Sequence, residues 1–100
     1  MNIKQLRYFV AICEQRNFTR AAKLCDVSQP TLTAAIQRLE RSIGGRLFVR
    51  SAPVELSALG RKLQPLFVQI NNTAERARRV AATHASAPRS RADLSAPARF

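Results

Sequence analysis

The stretch that most constrains this chain is Phe18–Gln37, FTRAAKLCDVSQPTLTAAIQ, which reads as two short helices around a tight turn. Ala21, Ala22 and Leu24 belong to the first helix, and Cys25, Asp26 and Val27 make the turn. Asp26 is one of the few non-glycine residue types that tolerates a left-handed backbone there. Ser28 reads as the N-cap of the second helix, its hydroxyl accepting the orphan N–H of Thr31. Pro30 falls in that helix's first turn, where a missing N–H costs little. Small Ala22 lets the two helices approach closely. Val27, Leu32, Ile36 and Leu39 form one apolar face; Gln29, Thr31, Thr33, Ala34, Gln37, Arg38 and Arg41 form the other. That second face is hydrogen-bonding and cationic, and it carries no large apolar group. It suits a helix lying in the major groove of DNA.

The charge balance agrees. The 100 residues allow one small domain plus an appendage, and their net charge of +11 points to a polyanionic partner. Basicity alone does not separate nucleic acid from an anionic membrane surface. No apolar run approaches the roughly 18 residues that span a bilayer. The start, MNIKQLRYF, lacks the long apolar core of a signal peptide, so a cytoplasmic, reducing location is expected. Cys13 and Cys25 belong to no CxxC pair and read as small buried hydrophobes, with a redox-sensing thiol as the minor alternative. The one histidine, His84, sits in a polar stretch and reads as solvated. The sequence holds no paired carboxylates, metal-ligand cluster, phosphate-binding glycine loop or nucleophile–base arrangement. The expectation is therefore no enzyme, no cofactor and no metal.

Along the chain, Asn2 can cap a helix over about Ile3–Arg16. Its apolar stripe is Ile3, Leu6, Phe9, Val10 and Cys13, flanked by Tyr8 and Ile12. Thr19 reads as the N-cap of the next helix, with Phe18 packing before it. Its hydroxyl and the N–H groups of that helix start could hold a DNA phosphate, helped by Arg20 and Lys23. The helix that follows runs over residues 29–43, and Gly44-Gly45 stops it. Arg46–Arg50 and Val54–Leu56 read as a strand and its return around a Ser51-Ala52-Pro53 turn, a small wing pinned by Leu47 and Phe48.

Ser57 can cap a long final helix. Leu59, Leu63, Leu66, Ile70, Thr73, Ala77 and Val80 follow a heptad spacing, so this helix is expected to dimerise. The alternative is that the same face packs back on its own domain. Pro65 is expected to bend the helix, since it cannot donate to the Arg61 carbonyl. Arg76, Arg78 and Arg79 suit the end of a helix dipole. From Thr83 onward the chain turns rich in Ala, Ser, Pro and Arg without periodicity, which predicts a disordered tail. The expected division is 1–58 DNA-binding domain, 59–82 linker and dimerisation helix, and 83–100 tail.

Over roughly its first 80 residues the chain resembles the N-terminal DNA-binding domain of LysR-type transcriptional regulators. The residues that carry this are FTRAA, VSQPTLT, RLE and LF-x-R at these spacings, followed by Leu56–Gly60. The resemblance implies a mainly α fold: a winged helix-turn-helix with a short β-hairpin wing and a long, dimerising linker helix. It implies that Gln29, Pro30, Thr31, Thr33 and Ala34 face the major groove. Thr19 and Ser28 then lie near phosphates, and the wing lies by the minor groove. Arg20, Gln37, Arg38 and Arg50 complete the expected DNA-binding set, and Leu59, Leu63, Leu66, Ile70 and Ala77 the expected dimer contacts.

Three departures stand out. Family members commonly carry Arg where this chain has Ala34. The wing tip Ser51-Ala52-Pro53 has no cation, leaving Arg46 and Arg50 at the wing base. Members also continue into a large effector-binding domain, whereas this sequence runs into a polar tail with no expected small-molecule effector site. The expected function is a sequence-specific, dimeric DNA-binding regulator of transcription. The alternative is a truncated or stand-alone module whose linker helix pairs with a full-length relative and blocks it. A basic helix on a membrane surface fits less well, because aromatic content is low and heptads describe the helix better.

Overall fold

The computed structural model describes residues 1–86. Short polar side chains set where its helices begin. Asn2 caps α1 (Ile3–Gln15) reciprocally: its side chain accepts the Gln5 N–H at 2.9 Å, and the Gln5 side chain accepts the Asn2 N–H at 3.1 Å. Arg16 ends α1 in the left-handed region, φ 51°. Asn17 caps α2 (Phe18–Leu24), its side chain accepting the Arg20 N–H at 2.8 Å. This corrects the expectation for Thr19, which lies inside the first turn. Asn, Phe and Thr stand in a row here, and the asparagine sits one turn before a free N–H.

The turn after α2 is a Schellman closure. Asp26 adopts φ 57°, its N–H donates to the Lys23 carbonyl at 3.1 Å, and the Val27 N–H donates to the Ala22 carbonyl at 3.0 Å. Ser28 then caps α3 (Gln29–Ile43), accepting the Thr31 N–H at 3.2 Å, and Gly44 ends it at φ 90°. Buried Ala21 and Ala22 let α1, α2 and α3 close on one another.

The wing is shorter than its sequence suggests. β1 (Phe48–Val49) and β2 (Glu55–Leu56) pair antiparallel with Phe48 opposite Leu56 and Val49 opposite Glu55. The flanking backbone bonds elsewhere: the Leu47 N–H donates to the Glu40 carboxylate at 2.7 Å, and the Val54 N–H donates to the Arg16 carbonyl at 3.1 Å. A two-stranded ribbon is marginal alone, and these ties hold it to the helices.

Ser57 caps α4 (Ala58–Ser86), accepting the Gly60 N–H at 2.9 Å and donating to the Arg46 carbonyl at 2.6 Å. Pro65 does not interrupt α4. The helix also passes the expected boundary at residue 82, so Thr83–Ser86 are helical and not tail. Alanine at 81, 82 and 85 favours this, and the first proline beyond is Pro88. The rest of the expected tail lies outside the described residues.

One core joins the layers: Leu6, Phe9, Ile12, Leu32, Ile36, Leu39 and Leu47 are its largest fully buried members. Phe9 stacks between Phe48 at 5.3 Å and Phe67 at 5.2 Å, centroid to centroid. In α1 the burial is centred differently from the expected stripe. Ile12 and Tyr8 are core, while Ile3 is exposed. In α4, Leu59 and Leu63 pack against this core, and Phe67 enters it. Leu66 and Ile70 stay 53% and 38% exposed, and Ala77 and Val80 are exposed as well.

Candidate nucleic-acid interface

The face of α3 opposite its buried Leu32, Ala35, Ile36 and Leu39 carries Pro30, Ala34, Gln37 and Arg41 along its middle. Ala34 and Thr33 are half-buried; Gln29, Pro30, Thr31, Gln37, Arg38 and Arg41 are exposed. The only acid in α3, Glu40, is buried and turned inward, so nothing anionic stands on the outer face.

Two hydrogen-bonded pairs organise the start of this face. The Gln29 amide nitrogen donates to the Thr33 hydroxyl at 3.0 Å. The Ser28 hydroxyl donates to the Thr31 hydroxyl at 2.8 Å while accepting the Thr31 N–H. Gln29 therefore keeps its carbonyl oxygen and its second amide hydrogen, the pair that reads an adenine edge. Thr31 keeps its own hydroxyl hydrogen, whereas Ser28 has committed its donor.

Thr19, Arg20, Gln29 and Arg50 line one open cleft between the start of α2, the start of α3 and the wing. A second groove runs beside the later turns of α3, lined by Gln37, Arg41, Arg46 and Arg50 together with Glu40, Gly44 and Gly45. Arg50 belongs to both. Ser28, Pro30, Thr31, Thr33, Ala34 and Arg38 lie on α3 or at its cap outside either cleft. Arg41, expected on the outer face of α3, and Arg46, expected at the wing base, both fall in the second groove, although neither stands in the expected DNA-binding set. Arg46 Nε lies 3.8 Å from the Glu40 carboxylate.

The cysteines stand apart from this surface. Burial, then the neighbouring Glu14 carboxylate, pushes the Cys13 thiol up to about 11, against a hydrogen bond from Gln64. Burial also raises Cys25, against Arg7. Both are thiols at neutral pH, as structural cysteines are. Among the described residues no His, Cys, Asp and Glu group could hold a metal ion, and no helix is long and apolar enough to cross a membrane.

Comparisons with known proteins place this arrangement. Residues 3–61 match the family model described as a bacterial regulatory helix-turn-helix protein, lysR family. The chain is 44% identical over 71 residues to a probable cat1 operon transcriptional activator of Acinetobacter lwoffii, covering 70% of this chain and 23% of that protein. It is 53% identical over 62 residues to the HTH-type transcriptional regulator TfdT of Cupriavidus pinatubonensis, covering 61% and 27%. The chain thus spans about a quarter of the length of these relatives. Among solved structures it resembles the BenM DNA-binding domain in complex with its benA site 1 DNA, with a TM-score of 0.76 and 31% identity, covering 88% of this chain and 100% of that one. It also resembles the CbnR DNA-binding domain–DNA complex, with a TM-score of 0.73 and 36% identity, covering 85% and 99%. The helix-turn-helix, the two-stranded wing and the long fourth helix are those of winged helix-turn-helix domains, and the chain belongs to the LysR family of bacterial regulatory helix-turn-helix proteins.

Proposed function

We propose that this chain binds double-stranded DNA in a sequence-specific manner and regulates transcription in the cytoplasm, as a homodimer joined through α4. The observation that carries this reading is the outer face of α3, polar, free of acids and flanked by two clefts that share Arg50. α3 lies in the major groove. Gln29, held by Thr33, reads a base edge; Pro30, Thr31, Thr33 and Ala34 pack beside it, and Ala34 adds apolar contact where an arginine would add charge. Thr19, Arg20, Gln37, Arg38 and Arg50 meet the phosphates or groove edges. At Ser28 the contact passes through Thr31, which has the free hydroxyl hydrogen.

The dimer reading is supported by the exposed apolar side of α4. Ile3, Ile70, Thr73 and Ala77 line a shallow groove there, and Leu66 and Val80 extend the same strip. Leu59 and Leu63 strengthen the near end of this surface only from beneath, since they pack on the core.

The test is binding-site selection from a random duplex pool, then gel shifts of the enriched duplex and a scrambled one across several salt concentrations. The expected result is a large preference for the enriched duplex at every salt, with affinity for both falling linearly in log–log form. Equal affinity for the two would reduce the chain to a non-specific polyanion binder.

A further inference from the structure

The two wing cations are held in different ways. Arg46 leans on the buried Glu40 carboxylate. Arg50 has no carboxylate partner among the described residues. Its guanidinium carbon instead lies 4.9 Å from the centroid of the Phe18 ring. Phe18 is set edge-on against Phe48 at 5.8 Å, and Phe48 packs on Phe9 at 5.3 Å. The ring under Arg50 is thus the outer end of an aromatic column rooted in the core.

A guanidinium over a ring face keeps donors free in its own plane, which match phosphate oxygens. An exposed arginine loses rotamer freedom when it binds; a side chain already held by a cation–π contact loses less. Arg50 is also the residue common to the cleft with Thr19 and Gln29 and the groove with Gln37 and Arg41. With no cation at Ser51-Ala52-Pro53, the wing depends on where Arg50 points.

We propose that Phe18 is a positioning residue for DNA binding: its ring holds the Arg50 guanidinium at the junction of the two clefts, with its donors presented to a backbone phosphate. This rests on the DNA-binding reading above. Because a phosphate contact is independent of sequence, the probe is a random-sequence duplex of about 25 base pairs, two and a half helical turns.

The experiment is a double-mutant cycle with Phe18→Leu, Arg50→Ala and both together, plus Phe18→Tyr as the conservative rescue. In the free chain, the Arg50 δ protons should resonate upfield under the Phe18 ring, lose that shift in Phe18→Leu and regain it in Phe18→Tyr. Phe18→Leu should weaken duplex binding about two- to fivefold. Arg50→Ala should weaken it further and flatten the salt slope by about one. Phe18→Leu should add nothing once Arg50 is alanine. Phe18→Met replaces the leucine variant if the latter unfolds below the assay temperature. Equal losses from Phe18→Leu with and without Arg50 would show that Phe18 acts through packing and overturn the proposal. An unshifted Arg50 overturns it without any DNA present. Duplex binding untouched by Arg50→Ala removes the phosphate contact, and a wild-type chain with no salt-dependent binding removes the DNA reading itself.

Discussion

A Cβ placed on Gly60 would lie 2.1 Å from the carbonyl oxygen of Leu47. That oxygen accepts the Ser57 N–H at 2.9 Å, so it cannot move away without undoing the junction between wing and α4. Gly60 is buried because α4 runs against backbone at this point, and no rotamer change relieves a backbone clash. Gly60→Ala should destabilise the chain by about 1–3 kcal/mol, the usual range for overpacking. Urea unfolding followed by circular dichroism measures this, with the slope unchanged if only the native state is affected. Stability equal to wild type would mean α4 does not lie this close to Leu47.

Glu40 ties α3 to the wing. Its carboxylate is buried, accepts the Leu47 N–H at 2.7 Å and faces Arg46. Glu40→Ala leaves that N–H unpaired, which should cost about 1–3 kcal/mol. Glu40→Gln keeps an acceptor and should cost less. Amide exchange at Leu47 is the direct readout: it should accelerate strongly in the alanine variant and little in the glutamine one.

Gln29→Ala should lose about 1–3 kcal/mol on the selected duplex and much less on a scrambled one. Thr33→Val keeps the shape of the side chain and removes the oxygen that orients Gln29. It should lose in the same direction by a smaller amount, and nothing further in a Gln29→Ala background. Equal losses on both duplexes would take Gln29 out of sequence reading.

The Cys13 thiol gives a pH signature. Burial raises its folded pKa to about 11 from the ordinary thiol value of 9.0, so the native state holds the proton that the unfolded chain releases first. Below about pH 9 both states are protonated and nothing changes. Between about pH 9 and 11 the unfolded state binds fewer protons, and stability falls as pH rises. Cys13→Ala should flatten this part of the curve in denaturant titrations. Alkylation of native Cys13 at neutral pH should be slow compared with the unfolded chain.

What could be read in the sequence was whatever rests on short-range chemistry. Asn2, Asp26, Ser28, Gly44 and Ser57 end or start their helices by bonds to residues within a turn or so, and each stands where its type predicts. The outer face of α3 was legible for the same reason, since burial follows a 3.6-residue period. Local pattern does not choose between Asn17 and Thr19, two capable caps two residues apart, and the structure uses Asn17. The strands are shorter than the sequence predicts because the Leu47 N–H bonds to the Glu40 side chain on α3 and the Val54 N–H to the Arg16 carbonyl at the end of α1, so neither N–H joins the ladder. Phe67 falls outside the heptad pattern, which through Leu66 and Ile70 follows the outer side of α4 and not the side that enters the core. The Phe18–Arg50 contact joins two elements that no local pattern relates.

Assembly bears most on mechanism. One recognition helix covers only a few base pairs, so a single copy should bind weakly, and two copies about a two-fold axis would read half-sites about one helical turn apart. The heptad stripe of α4 divides between two jobs: Leu59 and Leu63 pack on the core, whereas Leu66, Ile70, Thr73, Ala77 and Val80 are exposed. The seam should therefore be centred on Leu66 and Ile70, with Ile3 at its edge and only small side chains at Thr73 and Ala77. So short an apolar strip suggests a dissociation constant on the order of micromolar for this chain alone. Leu66→Asp with Ile70→Asp would set repelling charges in the seam without touching Phe67 or the rest of the core. Sedimentation should then find a monomer, the helical signal should persist, and cooperative binding to a duplex with two half-sites should disappear while weak binding to one half-site remains. A double variant that still sediments as a dimer would move the interface off α4.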